Sequence, residues 1–257
     1  MRTDFRAAFV ILSLMVVNLT AAASAGQPAE IGGRPASVLP HLNQLTDAEQ
    51  AAGWKLLFDG KTTTGWHNFR KQDISQGWQV LDGALSCVAK SAGDIITTEQ
   101  YDNFELALDY KVPAHANSGL MYRVSEDEAR APFTGVEYQL LDNTDPQGDA
   151  QKSGWAYALY QPPLDPATGR PVDATKPVGE WNHVKLVCDG RHIEHWMNGV
   201  KYCVYEIGSD DFNQRVAQSK FATWPKFAKY KIGHIALQGD HGDISFANIK
   251  LRPLPAK

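Results

Sequence analysis

The sequence predicts an all-β fold, an antiparallel β-sandwich of the jelly-roll type with two long loops and little helix. Short segments in which apolar and polar residues alternate recur along the chain, as is typical of half-buried strands. Several are separated by turns such as Asp82-Gly83, which favour two-residue hairpins. Helical periodicity is nearly absent, and seven Trp, nine Tyr and ten Phe supply the aromatic residues that are enriched in strands.

The first 25 residues are typical of a secretory signal peptide. Arg2 and Arg6 give a positive start, Ala7 to Val17 form a short apolar run, and Ala23-Ser24-Ala25 is a cleavage site of the A-x-A kind. No later stretch is apolar enough to cross a bilayer. We therefore expect no membrane span and a periplasmic or secreted protein.

Residues 26–53 are predicted to form an N-terminal extension that precedes a jelly-roll domain over residues 54–254. Thr46-Asp47-Ala48-Glu49 has the S/T-x-x-E form of a helix start. We expect a short helix that reaches about Ala52 and ends at Gly53, since glycine readily adopts the left-handed conformation after a helix.

Alternation and turns then predict the strands of the domain. An exposed segment is expected to begin at Gly65-Trp66. The predicted strands are Trp54–Phe58, Trp78–Leu81, Ala84–Ala89, Phe104–Lys111, Gly119–Val124, 136–141, Trp181–Cys188, His192–Met197, Lys201–Tyr205, His234–Leu237 and Ile244–Leu251.

Two long connections interrupt this pattern. Residues 143–180 contain six prolines, and residues 207–231 are polar and aromatic with room for a short helix. Loops of this length in a compact domain usually form lids or walls of a site. Lys152, Trp155 and Tyr157 could line such a site or simply pack the loop against the domain.

Charge and cysteine content restrict the partners and the redox chemistry. A formal net charge of −4 and a pI near 6.1 argue against a nucleic-acid partner. The turns Asp189-Gly190 and Asn198-Gly199 predict three consecutive antiparallel strands, with Cys188 on the first and Cys203 on the third. Two strand spacings of ~4.8 Å exceed the ~7 Å limit for a disulfide, so we expect these two and Cys87 to be unpaired, buried side chains.

One predicted strand carries a pattern that suits a hydroxyl-rich ligand. In Gly135-Val136-Glu137-Tyr138-Gln139-Leu140-Leu141-Asp142, Glu137 and Gln139 share one face because side chains alternate along a strand. A bulge after Gln139 would return Asp142 to that face. An ordinary solvated strand face explains the same pattern, so on these residues alone both interpretations remain open.

Six segments together resemble a known family. They are Leu57-Phe58-Asp59-Gly60-Lys61 with Gly65-Trp66, Asn117-Ser118-Gly119-Leu120, Gly135 to Asp142, Gly179-Glu180-Trp181-Asn182-His183, Trp196-Met197-Asn198-Gly199 and Leu237-Gln238-Gly239-Asp240-His241-Gly242. In this order they resemble the 3-keto-disaccharide hydrolase family, with a concanavalin A-like jelly roll, over about Trp54 to Leu254. The family usually has Arg before the final Asn-Ile, where this sequence has Ala247.

The resemblance implies cleavage of glycosides that carry a ketone at sugar C3. Such a ketone acidifies the C2–H, so a base can remove this proton, an enolate forms, the C1 substituent leaves by elimination, and water adds. The site then needs a base, a donor or cation for the enolate oxygen, and an acid at the leaving oxygen. A sugar 3-dehydrogenase acting upstream would be a natural pathway partner.

Candidate roles follow from this chemistry. Glu137 and His241 are the predicted catalytic residues, since a histidine titrates near neutral pH. Arg123 and Lys152 are predicted to stabilise negative charge near the ketone. The predicted substrate-binding residues are Arg123, Gln139, Asp142, Lys152, Tyr157, Trp66 and Gln238.

No cofactor is firmly implied, although a divalent cation could polarise the ketone. Its candidate ligands are Glu137, Asp142, Asp240 and His241.

Two other functions fit parts of the sequence. A retaining glycosidase would resemble jelly-roll glucanases with an E-x-D-x-x-E strand, in which Gln139 and Asp142 here replace the second and third acids. A non-catalytic carbohydrate-binding module would use exposed Trp66, Trp155 and Tyr157.

Overall fold

The computed structural model describes residues 42–145, 151–239 and 241–255, so the predicted signal peptide lies outside the described residues. The strands are β1 (Lys55–Leu56), β2 (Trp66–Asn68), β3 (Trp78–Leu81), β4 (Ala84–Cys87), β5 (Ile95–Thr97), β6 (Phe104–Lys111), β7 (Asn117–Val124), β8 (Val136–Leu141), β9 (Asn182–Asp189), β10 (His192–Met197), β11 (Val200–Glu206), β12 (His234–Leu237) and β13 (Ile244–Pro253). The helices are α1 (Asp47–Ala51) and α2 (Asp210–Ala217), with 3-10 turns at Ala131–Phe133 and Lys220–Thr223.

The strands form two antiparallel sheets, which confirms the predicted all-β sandwich. The first sheet has the order β11-β10-β9-β6-β13-β4-β3, with β1 also paired to β13. The second sheet has the order β2-β5-β12-β7-β8. Sequence neighbours are often not sheet neighbours, as expected of a jelly roll rather than a simple meander. No helix among the described residues is long and apolar enough to span a membrane.

The register of β8 agrees with the alternation in its sequence. Val136, Tyr138 and Leu140 are buried in the core between the sheets, whereas Glu137 on the opposite face is half-buried. Tyr138 stacks on His195 with ring centroids 4.5 Å apart, and its hydroxyl donates to the carbonyl oxygen of Trp196 at 2.9 Å. These contacts fix which face of β8 looks outward, because a slip of one residue would reverse every side chain.

Local signals also place the helix start and the hairpins correctly. Thr46 caps α1 in a complete capping box with Glu49, which confirms the predicted helix start. Asp82-Gly83 and Asn198-Gly199 both have positive φ values, namely 50° and 76°, and 48° and 83°. Two consecutive positive φ values are what a two-residue hairpin turn requires.

The cysteine prediction is confirmed. None of Cys87, Cys188 and Cys203, all within the described residues, forms a disulfide, and all three are buried. Strand β10 lies between β9, which carries Cys188, and β11, which carries Cys203.

The expectation that Trp66 is exposed is wrong, and the burial of Trp155 favours the alternative in which it packs its loop against the domain. Trp66 does not begin an exposed segment: it opens β2, is only 5% exposed and donates its indole N–H to the Leu57 carbonyl at 2.7 Å. Trp155 is 7% exposed. Strand β5 was not predicted, because its three buried residues are too few to show alternation.

The two long connections cover the second sheet near β8. In the first, residues 154–157 pair with the open edge of β8. Gly154 donates to the Gln139 carbonyl at 2.8 Å, and Tyr157 donates to the Glu137 carbonyl at 3.0 Å. The second connection forms α2 and the 3-10 turn Lys220–Thr223. Both loops therefore become walls around the outward face of β8.

Candidate active site

The floor of the candidate site is built from three neighbouring strands of the second sheet. Gln139 of β8 pairs with Gly119 of β7, and Glu137 pairs with Met121. On the other side of β7, the backbone N–H of Gln238 donates to the Gly119 carbonyl at 2.9 Å. Gly119 therefore lies between the polar side chains of β8 and Gln238.

Gly119 leaves room in this floor for the carboxylate of Glu137, which lies across it. A Cβ atom at position 119 would be 2.4 Å from Glu137 Oε1 and 2.8 Å from its Cγ. Such distances are far inside van der Waals contact, so any larger residue would displace the carboxylate. The missing side chain at this position lets the Glu137 side chain approach the backbone closely. Gly119 does not adopt the positive φ for which glycine is often needed.

Two buried amides on this floor have unused hydrogen-bonding capacity. Gln139 is 1% exposed and Gln238 is 7% exposed. The Oε1 atoms of both have no hydrogen-bond partner within the described part of the chain, although Gln139 Nε2 donates to Asn117 Oδ1 at 2.9 Å. Burying an unsatisfied acceptor costs about 1–3 kcal/mol, and a ligand hydroxyl that donates to these oxygens would remove that cost.

The backbone around Gln238 is held firmly. The Ser118 hydroxyl donates to the Gln238 carbonyl at 2.8 Å, in addition to the bond from its N–H to Gly119. Gln238 therefore directly follows β12 with its backbone bonded to β7, and it lines the cavity.

The floor and the two long loops enclose a cavity of about 160 Å³. Its walls come from the 3-10 turn after β7, the two long loops and the turn after β12. Asn117, Arg130, Pro132, Glu137, Gln139, Gln151, Tyr157, Lys220, Trp224, Gln238 and His241 line it. Trp224 is held by Phe133, with ring centroids 4.7 Å apart, so an aromatic face stands beside polar and charged groups.

The cavity combines cations with an acid. Arg130 and Lys220 contribute positive charge, and Glu137 is the only carboxylate among the described lining residues. Lys220 Nζ lies 3.1 Å from the Tyr157 hydroxyl oxygen and 4.2 Å from the centre of its ring. A negative charge that develops in the cavity would therefore be stabilised.

The structure brings five of the predicted site residues together. Glu137, Gln139, Tyr157, Gln238 and His241 all line this cavity. Six further residues line the cavity and were not predicted from the sequence: Asn117, Arg130, Pro132, Gln151, Lys220 and Trp224. Asn117 could have been found, since it begins a matched segment, but nothing local to Arg130 or Lys220 indicates that they approach β8.

Arg123 and Lys152 lie outside this cavity. Arg123 is buried, and its Nη2 donates to the Gly190 carbonyl at 2.5 Å. Its φ of 56° breaks the alternation of β7, so its side chain leaves the face that Glu137 uses. Lys152 donates to the Asn143 carbonyl at 2.8 Å. Arg130 and Lys220 are the cations that stand in the cavity instead.

Asp142 also lies elsewhere. The pairing of β7 with β8 runs without a register shift, so the bulge that would return Asp142 to the Glu137 face is absent from this pair. Its carboxylate accepts from the His115 N–H at 3.0 Å and from the Thr144 hydroxyl at 2.6 Å. Burial opposes its ionisation, but these hydrogen bonds hold the pKa of Asp142 below its usual value. It stabilises a turn and borders a different cavity.

Trp66 is likewise absent from the cavity lining, as its burial in β2 requires. With Trp66 and Trp155 buried, two of the three aromatic residues expected of an exposed carbohydrate-binding surface are unavailable.

Asp142 cannot serve as a second carboxylate beside Glu137. Retaining chemistry needs two carboxyl groups ~5–5.5 Å apart, and the described lining residues supply one.

Among the described residues, only two of the four suggested metal ligands line this cavity. No group of three or more His, Cys, Asp or Glu side chains among residues 42–145, 151–239 and 241–255 is arranged to hold a metal ion. Of the four suggested ligands, Asp142 lies elsewhere and Asp240 lies outside the described residues. Glu137 and His241 remain as lining residues.

A larger cavity of about 810 Å³ lies at another edge of the sandwich. It is lined by residues near β1, β5 and the end of β13, and none of the predicted site residues borders it. Size alone does not identify a site, and the smaller cavity has the convergent polar groups that binding sites show.

Comparisons with known proteins agree with the fold. A "3-keto-disaccharide hydrolase" of Bacteroides thetaiotaomicron is 29% identical in an alignment of 237 positions, and the match covers 79% of this chain and 79% of that protein. A crystal structure from Parabacteroides distasonis, described as a candidate glycosyl hydrolase, is 34% identical with a TM-score of 0.76 and covers 83% of this chain and 100% of that chain. A second such structure from that species is 28% identical with a TM-score of 0.59 and covers 78% and 99%.

A family model also matches nearly the whole domain. The match covers residues 53–252, and the family is described as the 3-keto-alpha-glucoside-1,2-lyase-like domain. This match confirms the resemblance. At the level of the family, it also confirms the prediction of a glycoside hydrolase or lyase. The chain belongs to the 3-keto-alpha-glucoside-1,2-lyase-like family.

Proposed function

We propose that this protein cleaves 3-keto-glycosides, including 3-keto-disaccharides, by removing the proton at sugar C2, eliminating the C1 substituent and adding water. The observation that carries the proposal is the floor of the cavity. The Glu137 carboxylate lies across Gly119, and the buried Oε1 atoms of Gln139 and Gln238 have no partner within the described residues. Acceptors of this kind suit the hydroxyl groups of a sugar ring.

Glu137 is the base in this scheme. A carboxylate can take the C2 proton because the neighbouring C3 ketone accepts the electron pair as an enolate. Arg130 and His241, which line the same cavity, supply positive charge or a hydrogen bond to the enolate oxygen. This mechanism needs one carboxylate rather than two, which is the number that the described lining residues provide.

The test compares a 3-keto-glucoside with its unoxidised parent. We expect the wild-type protein to cleave only the keto compound, and deuterium at C2 to slow the reaction. Equal cleavage of the parent would favour the retaining-glycosidase mechanism. Binding of both compounds without cleavage of either would favour a carbohydrate-binding module.

The substrate also implies a preceding reaction and a compartment. A ketone at C3 must be made by an oxidoreductase that dehydrogenates the sugar hydroxyl, so such an enzyme acts upstream. Residues 1–25 further support export to the periplasm or the medium. Sequencing the N-terminus of the mature protein should find Gly26 first, whereas an intact Met1 would contradict export by this signal.

A further inference from the structure

The hydroxyl group of Tyr157 has an unusual set of hydrogen bonds. Tyr157 lies in the first long loop, where its N–H donates to the Glu137 carbonyl at 3.0 Å. Tyr157 therefore lies next to β8. Its hydroxyl oxygen accepts from Lys220 Nζ at 3.1 Å and from Gln151 Nε2 at 3.0 Å. All three residues line the cavity.

A phenol oxygen has two acceptor positions and one proton to donate. An ammonium group and an amide nitrogen can only donate, so Lys220 and Gln151 fill both acceptor positions. The hydroxyl proton has no acceptor among the residues that the structure describes. An oxygen atom of a ligand in the cavity can therefore accept this proton.

A cation also lies beside the Tyr157 hydroxyl. The Lys220 ammonium group lies 3.1 Å from the oxygen and 4.2 Å from the ring centre. As the proton departs, negative charge develops on the oxygen, and the nearby cation stabilises it. The Gln151 hydrogen bond strengthens for the same reason.

We propose that Tyr157 is the acid that protonates the departing glycosidic oxygen, and that Lys220 stabilises the resulting phenolate. The inference rests on the proposed function, since a leaving oxygen exists only if the C1–O bond is cleaved. It adds the third group that the elimination requires, after the base at C2 and the donors at the ketone.

Each proton and electron pair in the cleavage has a defined destination. Glu137 takes the proton from C2, and the C–H electron pair forms the enolate. The enolate then re-forms the C3 ketone and a C1–C2 double bond while the C1–O bond breaks, and the leaving oxygen takes the Tyr157 proton. Water adds to C1 and gives one proton back to Tyr157, while Glu137 returns its proton to C2. The net change is hydrolysis.

The chain offers a matched control in Tyr160. Arg215 lies over its ring, 4.4 Å from the centre, so it too pairs a phenol with a cation. Its hydroxyl, however, donates to Asp211 Oδ2 at 2.6 Å, and Tyr160 does not line the cavity. The Tyr160 hydroxyl proton therefore already has an acceptor in Asp211.

The experiment measures how the effect of Tyr157→Phe depends on the leaving group. We expect the variant to lower turnover of methyl 3-keto-glucoside by ~10²–10⁴-fold and turnover of the 4-nitrophenyl compound far less, because nitrophenolate leaves without a proton. Exchange of the C2 proton with D₂O should continue. Lys220→Met should show the same dependence more weakly, and Tyr160→Phe should show none.

Two results would overturn the assignment while leaving the proposed function intact. One is an equal loss for both leaving groups in Tyr157→Phe and Lys220→Met. The other is loss of C2 exchange in these variants, which would place Tyr157 at proton abstraction. A wild-type protein that neither exchanges the C2 proton nor cleaves either compound would overturn both proposals.

Discussion

Strands β8 and β10 meet through their inward faces, yet their outward faces differ in one physical respect. Both outward faces carry a glutamate, Glu137 on β8 and Glu194 on β10. Glu194 accepts from Lys201 at 2.6 Å and from the Trp196 indole at 2.8 Å. Around Glu137, by contrast, two buried amide oxygens have no partner in the described part of the chain.

The comparison shows that polarity alone does not distinguish a ligand site from a stable surface. On β10, His192 also bonds to Glu206 and Glu194, and Lys185 and Lys201 lie over the Trp196 ring. These groups satisfy each other. Beside Glu137, one buried acceptor on β8 and one directly after β12 have no partner in the described part of the chain. A buried acceptor without a partner costs stability, and a ligand that donates a hydrogen bond recovers it.

The largest expected effect comes from Glu137→Gln. The amide has nearly the same size but cannot take a proton, so turnover of a 3-keto-glucoside should fall by ~10²–10⁴-fold. The matched control is Glu194→Gln, which should leave turnover unchanged and alter stability by about 0–1 kcal/mol. Steady-state kinetics on both variants test this, and similar losses in the two would remove the functional contrast between the strands.

A smaller loss is expected from Gly119→Ala. The added Cβ would be 2.4 Å from Glu137 Oε1, so the carboxylate must move, and a displacement of about 1 Å can cost ~10²-fold in rate. Combining this change with Glu137→Gln should add little further loss, because both act through one group. Full additivity of the two effects on kcat would show that Gly119 acts independently of Glu137.

Gln238→Met should separate stability from activity. Removing a buried acceptor without a partner should raise the free energy of unfolding by about 1 kcal/mol, while loss of a ligand hydrogen bond lowers kcat/KM by up to ~10-fold. Glu194→Met, in contrast, should lose stability because its donors are left unpaired. Urea denaturation and steady-state kinetics test both variants. Destabilisation by Gln238→Met would show that Gln238 Oε1 has a hydrogen-bond partner in the unliganded protein.

The contact between the two strands predicts a pH effect on stability. Burial lowers the pKa of His195 to about 3, opposed by its hydrogen bond to the Gly154 carbonyl. The folded protein therefore keeps this histidine neutral, whereas the unfolded chain binds a proton below its ordinary pKa of ~6.5. Stability from this group is present above pH ~6.5 and is lost as the pH falls toward 3.

His195→Phe keeps a ring against Tyr138 and removes this titration. Below pH ~6 the wild-type protein should lose up to about 1.4 kcal/mol more per pH unit than the variant. Urea denaturation between pH 6 and 5 measures the two slopes, with few carboxyl groups titrating. Parallel slopes would mean that His195 is protonated in the folded protein.

The sequence by itself determined the features that depend on neighbouring residues. Alternation assigned the two faces of β8, the Thr46–Glu49 pair started α1, and Asp82-Gly83 and Asn198-Gly199 turned the hairpins. The family segments brought Glu137, Gln139, Gln238 and His241 forward as site residues. Each of these signals spans only a few residues, where backbone geometry and local hydrogen bonds decide the conformation.

Only the tertiary structure decided which distant groups share the cavity. Lys220 and Trp224 reach β8 because the second long loop folds over the second sheet, and Tyr157 does so because its loop pairs with the open edge of β8. Arg123 left the site because one left-handed residue interrupted the alternation of β7. Such placements depend on packing between segments far apart in sequence, so no local pattern encodes them.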